Sequence, residues 1–206
     1  MSNDYDSVLA IQWTDDNLRL LDQRVLPQEE TWLVLDDCAA VADAISDMVV
    51  RGAPAIGITA AFGAVIAARS RFREAPGNWL SLFNKDLDYL DKARPTAVNL
   101  GWAVALMRER AATLEGDPVP ALLQLAQKIH ADDIAANRRM GELGAALIDA
   151  GSSVLTHCNA GALATGGYGT ALGVIRSAWS ADKLNDVYAD ETRPWLQGAR
   201  LTAWEL

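Results

Sequence analysis

Residues 152–179 constrain the fold of this chain more than any other stretch. A short apolar run, Val154 and Leu155, ends in Thr156, His157 and Cys158; a turn rich in glycine follows, and then apolar residues spaced three and four apart. This pattern predicts a parallel strand over 153–157, a loop, and a helix over 169–179. In open α/β sheets, ligands bind at the carboxyl ends of strands, where this loop would lie. The stretch therefore predicts a thiol at a strand tip, beside helix N–H groups that favour a thiolate or a bound anion.

The glycine-rich loop alone leaves two interpretations open. Leu172 stands where a dinucleotide-binding fingerprint needs its third glycine, and Gly167 stands where a P-loop needs a lysine. The loop thus matches neither standard phosphate motif. It forms either a functional site or a close-packed turn around a buried, structural Cys158.

Net charge limits the partners of the chain. With 27 acidic and 18 basic side chains, the formal net charge is −9, which excludes a general binder of nucleic acid or of anionic membranes. An anionic ligand would have to be bound by local positive groups.

Cysteine usage and the absence of a long apolar run indicate the compartment. Two cysteines, Cys38 and Cys158, and polar, acidic first residues predict free thiols, no secretory leader and a cytoplasmic protein. The longest uncharged run, 52–68, is shorter than the roughly 20 residues that span a bilayer.

The first 150 residues read as short strands followed by helices. Strands are predicted at 8–13, 18–21 and 32–35, forming a small antiparallel sheet. Asp36 and Asp37 are suited to cap a helix that ends before Gly52. Cys38 lies within this helix and is predicted to belong to the protein core. Residues 118–150 have helical periodicity, in which Gly141 and Gly144 either bend the helix or let a neighbour approach.

Three predicted helix starts share an arginine just before a helix-initiating proline. They are Arg51 with Pro54, Arg94 with Pro95, and Arg193 with Pro194. Guanidinium groups beside free helix N–H groups would form a phosphate cradle. The alternative is that each arginine pairs with a nearby carboxylate, for which Asp91 and Glu191 are available.

His130, Asp132 and Asp133 could suggest a metal site. No second histidine or cysteine stands at ligand spacing, so these residues are predicted to form a solvated helix face.

The periodicity changes at Gly151. Strands at 153–157 and 186–189 alternate with helices at 169–179 and 194–206, a β-α-β-α unit. Two parallel strands make a poor sheet, since parallel sheets normally have neighbours on both sides. The chain is therefore expected to be α/β, with an N-terminal β/helical domain over 1–150 and, over 151–206, the start of a second domain that it does not complete.

Four segments carry a family resemblance that extends along the whole chain. They are Arg51–Gly57, Arg94–Asn99, Thr156–Gly161 and Glu191–Glu205, with Leu20–Pro27 also fitting. These segments resemble the S-methyl-5-thioribose-1-phosphate isomerases of methionine salvage. Related non-enzymatic members of the superfamily, the exchange-factor subunits of translation initiation, generally lack the catalytic pair, so Cys158 favours the isomerases.

The resemblance implies roles for particular residues. Cys158 would be catalytic, and the substrate would contact Arg51, Gly52, Ala53, Arg94 and Gln197. The aspartate that acts as proton donor in the family would lie beyond Leu206, so these 206 residues alone are expected to have little activity. The resemblance also implies a Rossmann-like second domain, a homodimer, and no metal or nucleotide cofactor.

The implied reaction converts S-methyl-5-thioribose 1-phosphate into S-methyl-5-thioribulose 1-phosphate. The sugar ring must open and hydrogen must move from C2 to C1, as a proton or as a hydride. Two alternatives remain: a binding or regulatory module like the exchange-factor subunits, and an isomerase of ribose 1,5-bisphosphate. An apolar pocket for the 5-substituent would indicate the methylthio sugar, and a basic pocket the bisphosphate.

Overall fold

A three-stranded antiparallel sheet opens the described part of the chain, residues 8–206 of the computed structural model. Its strands are β1 (Ile11–Thr14), β2 (Asn17–Leu21) and β3 (Trp32–Leu35), paired in the order β1-β2-β3. Asp15 and Asp16 join β1 to β2 with positive φ angles, as a two-residue type I′ hairpin turn requires. The predicted small sheet is confirmed, although β1 begins three residues later than expected. The acidic segment 1–6, on which the prediction of no leader rests, lies outside the described residues.

Five helices follow the sheet and pack around the second of them. They are α1 (Cys38–Ser46), α2 (Ala53–Glu74), α3 (Trp79–Asp91), α4 (Val98–Ala111) and α5 (Val119–Ala146). Asp37 caps α1 by accepting a hydrogen bond from the Ala40 N–H. Helix α2 is long and apolar enough to cross a bilayer by length and composition. Residues 55–68 are nevertheless all buried, so α2 is the central helix of a protein core.

The β-α-β unit predicted after Gly151 is present. Strands β4 (Ser152–His157) and β5 (Leu184–Asp190) pair in parallel, and α6 (Ala171–Ser180) connects them. A wide helical turn over Gly198–Thr202 then continues into the short helix α7 (Ala203–Glu205). The chain is thus α/β, with one antiparallel and one parallel sheet among the described residues.

Two of the three predicted Arg-Pro helix starts are wrong. Pro54 lies in the first turn of α2, but α4 begins three residues after Pro95 because a turn closes there, with the Ala97 N–H donating to the Arg94 carbonyl. Pro194 lies in a turn, and the last helical segment begins later than predicted. There, the N–H groups of Gly198 and Ala199 donate to the Glu191 carboxylate at 2.9 and 3.0 Å, so Glu191 caps the turn.

Close contact between α5 and α6 depends on two glycines. A Cβ atom on Gly144 would lie 2.5 Å from Cγ2 of Val174, and one on Gly141 would lie 2.8 Å from Cε1 of Tyr168. These glycines were predicted either to bend the helix or to let a neighbour approach. The contacts show that they let α6 and the loop before it approach α5. Gly101, in α4, offers a contrast, because its Cβ would meet Asp91 Oδ1 at an ordinary 3.4 Å.

Gly144→Ala is expected to lower the free energy of unfolding by about 1–3 kcal/mol, because the new methyl group forces α5 away from the stiff Val174 side chain. The matched change Gly101→Ala is expected to raise it by about 0.5–1 kcal/mol through helix propensity. Urea denaturation of both variants measures this. Equal stability of the two would contradict the packing described here.

The loop after β2 is held by a nearly buried carboxylate. Asp22 accepts hydrogen bonds from Arg24 Nε at 2.9 Å and from the Arg24 backbone N–H at 3.0 Å. Burial raises the pKa of this carboxyl, but the hydrogen bonds from Arg24 outweigh burial and lower the pKa below its ordinary 3.8. The ionised form therefore stabilises the folded chain.

Asp22→Asn is expected to reduce stability at pH 7 and to lose this effect in acid. A carboxyl with a lowered folded-state pKa stabilises above its unfolded pKa, and the contribution disappears as the pH falls through the folded-state pKa. The difference in unfolding free energy from the unsubstituted protein should thus shrink below about pH 4. Glu142→Gln, at an exposed ion pair with Arg139, is the control and should change little at either pH.

Candidate functional site

The tip of β4 presents a strained cysteine. Cys158 directly follows the strand, is half-buried, and has a φ of 62°, in the left-handed region that a residue with a Cβ atom rarely adopts. Its backbone carbonyl accepts a hydrogen bond from the Thr202 hydroxyl at 2.6 Å. Such conformations persist where the surroundings impose them, and they cluster at functional sites.

Arg51 approaches this tip from the start of α2. Its Nη2 donates to the backbone carbonyl of Asn159 at 3.3 Å and also to the side-chain oxygen of Asn159. Burial lowers the pKa of the Arg51 guanidinium, and the neighbouring Cys158 and Glu205 partly oppose this. The Nε of Arg51 is buried without a hydrogen-bond partner. Arg51 therefore reaches the cysteine tip as a cation whose hydrogen bonds go to neutral acceptors, and the predicted alternative of a carboxylate partner is wrong for it.

Gly52 lets the start of α2 come this close. With a φ of 91°, it caps α2, and a Cβ there would lie 2.6 Å from the Cα of Ala164. Ala53 is the first residue of the helix. Gly52 therefore lies against the loop that follows Cys158, whereas Ala53 is exposed.

Arg94 and Gln197 form no hydrogen bond with the strand tip among the described residues. Arg94 lies in the turn before α4, and its Nη1 is buried without a hydrogen-bond partner. The side chain of Gln197 hydrogen-bonds with the hydroxyl of Thr192. Within residues 8–206, no hydrogen bond links either residue to Cys158 or Arg51. The structure thus brings two of the predicted contact residues, Arg51 and Gly52, to the strand tip and the loop after it.

The amide groups of the loop after Cys158 are engaged by the chain itself. The N–H groups of Ala162 and Leu163 donate to the Glu205 carboxylate at 2.8 and 3.1 Å. The Glu205 side chain is fully buried and forms an ion pair with Arg176 at 2.8 Å. The expectation that the loop amides bind an external anion is therefore wrong for these two, because an internal carboxylate occupies them.

Sequence reasoning missed Glu205 and Arg176, although a signal existed. Arg176 is the one charged residue of α6, an otherwise largely apolar helix. A buried cation needs a buried anion, and Glu205 stands alone among the apolar residues at 201–206. A Cβ on Gly161 would contact the Glu205 carboxylate, so that glycine leaves room for it.

The solvated face predicted for His130, Asp132 and Asp133 is partly wrong. His130 Nε2 lies 2.7 Å from the Gly166 carbonyl, and the Gly166 N–H donates to Asp133 at 2.7 Å. Helix α5 thus hydrogen-bonds to both the carbonyl and the N–H of Gly166. Asp132, in contrast, is exposed and pairs with Lys128. Across residues 8–206, no three acidic, histidine or cysteine side chains are grouped as metal ligands would be.

A second arginine shares a cleft with Arg51. Arg200 and Arg51 line it together with Gln23, Met48 and Trp195. The Nη1 of Arg200 donates to the Leu26 carbonyl at 2.7 Å, and its Nε donates to the Trp195 carbonyl at 2.9 Å. Its positive charge also lowers the pKa of Arg51, and Arg24 lines the same cleft, so three arginines face it. The sequence analysis did not single out Arg200, although it lies in the last of the four family segments.

Sequence comparison finds methylthioribose-1-phosphate isomerases as relatives. That of Alkalilimnicola ehrlichii is 62% identical over 98% of this chain and 58% of its own length. That of Methylococcus capsulatus is 58% identical over 97% of this chain and 57% of its own length. The resemblance to these isomerases is therefore confirmed, and this chain spans less than three fifths of the length of these two curated relatives.

Two crystal structures share the fold. The 5-methylthioribose 1-phosphate isomerase from Pyrococcus horikoshii OT3 superposes with a TM-score of 0.91 at 38% identity, covering all of this chain and 59% of that one. The translation initiation factor eIF-2B, subunit delta, from A. fulgidus superposes with a TM-score of 0.88 at 42% identity, covering 97% of this chain and 59% of that one. The family model described as the initiation factor 2 subunit family matches residues 49–206. With both sequence and fold in agreement, the chain belongs to the initiation factor 2 subunit family.

Proposed function

We propose that this chain provides the cysteine and phosphate-binding part of an aldose–ketose isomerase that converts S-methyl-5-thioribose 1-phosphate into S-methyl-5-thioribulose 1-phosphate, a step of methionine salvage. One observation carries the proposal: the strained Cys158 lies beside Arg51, whose guanidinium hydrogen-bonds to neutral acceptors. The relatives named methylthioribose-1-phosphate isomerase support the assignment of substrate.

The substrate phosphate would bind to cationic N–H groups. Arg51 and Arg94 each have one buried nitrogen without a hydrogen-bond partner, Nε and Nη1 respectively, so the chain does not satisfy either guanidinium fully. Charge-assisted hydrogen bonds to a phosphate are about twice as strong as neutral ones. Gly52 and Ala53 would add close backbone contacts, and Gln197 would contact the sugar.

The Cys158 thiol would transfer a proton near the ring oxygen or C2 during ring opening. General acid–base assistance typically contributes about 10²–10⁴-fold to the rate. We assign the partner acid, an aspartate in the family, to the part of the relatives that this chain does not span. The reaction so described uses no metal and no nucleotide cofactor.

The proposal also covers the domain organisation, location and partners of the protein. A small apolar cluster at Ala145, Leu172, Ile175, Ala178 and Leu184 is separate from the main helical core. The cluster includes Ala145 of α5, so the support for a boundary near residue 150, with 151–206 beginning a Rossmann-like domain, comes from the parallel pairing of β4 with β5. The protein would be a cytoplasmic homodimer that acts on a small sugar phosphate and binds neither nucleic acid nor membranes.

A second candidate function is a binding or regulatory module. The A. fulgidus structure, titled as a translation initiation factor subunit, is 42% identical to this chain. Turnover assays on the methylthio sugar and on ribose 1,5-bisphosphate, with the protein in its full length, separate the candidates. Turnover of the methylthio sugar supports the proposal, and turnover of neither sugar supports the binding module.

Cys158→Ala and Cys158→Ser are each expected to reduce kcat by about 10²-fold or more, because the proton-transfer group is lost or becomes much less acidic. The control is Cys38→Ala. Cys38 is buried in the core, where burial chiefly raises its thiol pKa to about 12, so this change should lower Tm but leave kcat within about twofold. Near-normal kcat in both Cys158 variants would remove the thiol from the mechanism.

Arg51→Gln is expected to weaken binding of inorganic phosphate by about tenfold or more, because a charged hydrogen-bond donor is lost from a half-buried site. Isothermal titration calorimetry measures the affinity. Arg139→Gln, an exposed arginine on α5 paired with Glu142, is the matched control and should bind phosphate as the unsubstituted protein does. Equal affinity of the two variants would exclude Arg51 from the phosphate site.

A further inference from the structure

Glu205 lies at the centre of a buried polar network behind the cysteine tip. Its Oε2 pairs with Arg176 at 2.8 Å and accepts the Ala162 N–H at 2.8 Å. Its Oε1 accepts the Leu163 N–H at 3.1 Å and an amide hydrogen of Asn159 at 2.9 Å. Four donors thus converge on one carboxylate, which holds it in a single orientation.

This orientation determines how the Asn159 side chain is turned. Its Nδ2 donates both to Glu205 and to the hydroxyl of Thr202, the latter at 3.2 Å. With the amide nitrogen directed inward, the amide oxygen faces outward and accepts from Arg51. The rotamer of a 3% exposed asparagine therefore connects Glu205 to Arg51.

Thr202 extends the same network to Cys158. Its hydroxyl accepts from Asn159 and donates to the Cys158 carbonyl at 2.6 Å. That bond holds the backbone of Cys158, whose left-handed conformation needs support from its surroundings. One helical segment, 198–205, therefore holds both the cysteine backbone and the partner of Arg51.

We propose that Glu205 is a positioning residue that sets the reactivity of Cys158 through Asn159 and Arg51. The inference rests on the proposed function for its biological purpose, but its chemistry can be measured separately. A guanidinium held beside a thiol favours the thiolate, which is the form that reacts with alkylating agents. When Glu205 no longer orients Asn159, Arg51 loses its side-chain acceptor and keeps only the Asn159 carbonyl, so its guanidinium is held less firmly beside Cys158.

The test is the rate at which iodoacetamide modifies Cys158 at pH 7 in the full-length protein, followed by peptide mass spectrometry so that Cys38 does not contribute. Glu205→Gln is expected to slow the reaction by about three- to tenfold, in line with coupling between contacting residues. Glu142→Gln removes the same charge from an exposed pair on α5 and should leave the rate unchanged.

A double-mutant cycle distinguishes positioning from a merely structural role. If Glu205 acts through Arg51, then Glu205→Gln should have little further effect in an Arg51→Gln background. If Glu205 supports only the fold, the two substitutions should slow the reaction independently, and that result would overturn the proposal.

A second pair of variants covers the case in which Glu205→Gln does not fold, as judged by circular dichroism. Thr202→Val removes the hydroxyl that bridges Asn159 and Cys158, whereas Thr202→Ser keeps it. Slow alkylation in the valine variant and a normal rate in the serine variant support the network. Normal rates in both would contradict it.

Protection of Cys158 by inorganic phosphate tests the proposed function separately. In the unsubstituted protein, phosphate bound near Arg51 should protect Cys158 from iodoacetamide. Absence of protection would count against the phosphate site, while the rates without phosphate would still decide whether Glu205 positions the thiol.

Discussion

The contact between Arg51 and Asn159 is the interaction on which the rest of the site depends. It joins the start of the central helix to the tip of β4 across 108 residues of sequence. A partly buried guanidinium is costly unless its charge is compensated. Here its acceptors are an amide oxygen and a carbonyl, while the nearby Glu205 is paired with Arg176. The positive charge of Arg51 therefore remains available to an anion that enters from solvent.

Local sequence patterns predicted the parts of the structure that local rules control. The strand and helix around Cys158 have clear apolar spacing, the burial of α2 follows from its lack of charge between residues 52 and 68, and Pro54 marks a helix start. Helix α3 was not predicted, although Trp79, Phe83, Leu87 and Leu90 repeat at helical spacing and are buried. That signal was present in the sequence and was overlooked.

Long-range pairings could not be predicted in the same way. Nothing near Glu205 in sequence shows that its carboxylate fills the loop at Ala162, and nothing near His130 shows that it contacts Gly166. Pro194 is suited to begin a helix. The helical segment nevertheless begins after it, where the Glu191 carboxylate accepts a hydrogen bond from the Gly198 N–H. In each case a tertiary or capping contact outweighed the local preference of the residue. The consequence for the site is that Glu205 occupies the amides of Ala162 and Leu163, which leaves Arg51 as the charged donor beside the strand tip.

The hydrogen bonds that Arg200 donates to the loop after β2 also affect the order of folding. Its guanidinium hydrogen-bonds to carbonyls near residue 25, and Leu26 packs in one apolar cluster with Leu163 and Leu201. Arg200 and Leu26 lie 174 residues apart in sequence, and contacts of such separation slow folding because closing a long loop is entropically costly. During synthesis, the segment after β2 must wait for residues 200–201 to leave the ribosome before this face of the protein can close. The cleft beside Arg51 therefore cannot assemble before residue 200 is available, whereas all the helices that pack around α2 are complete by residue 146.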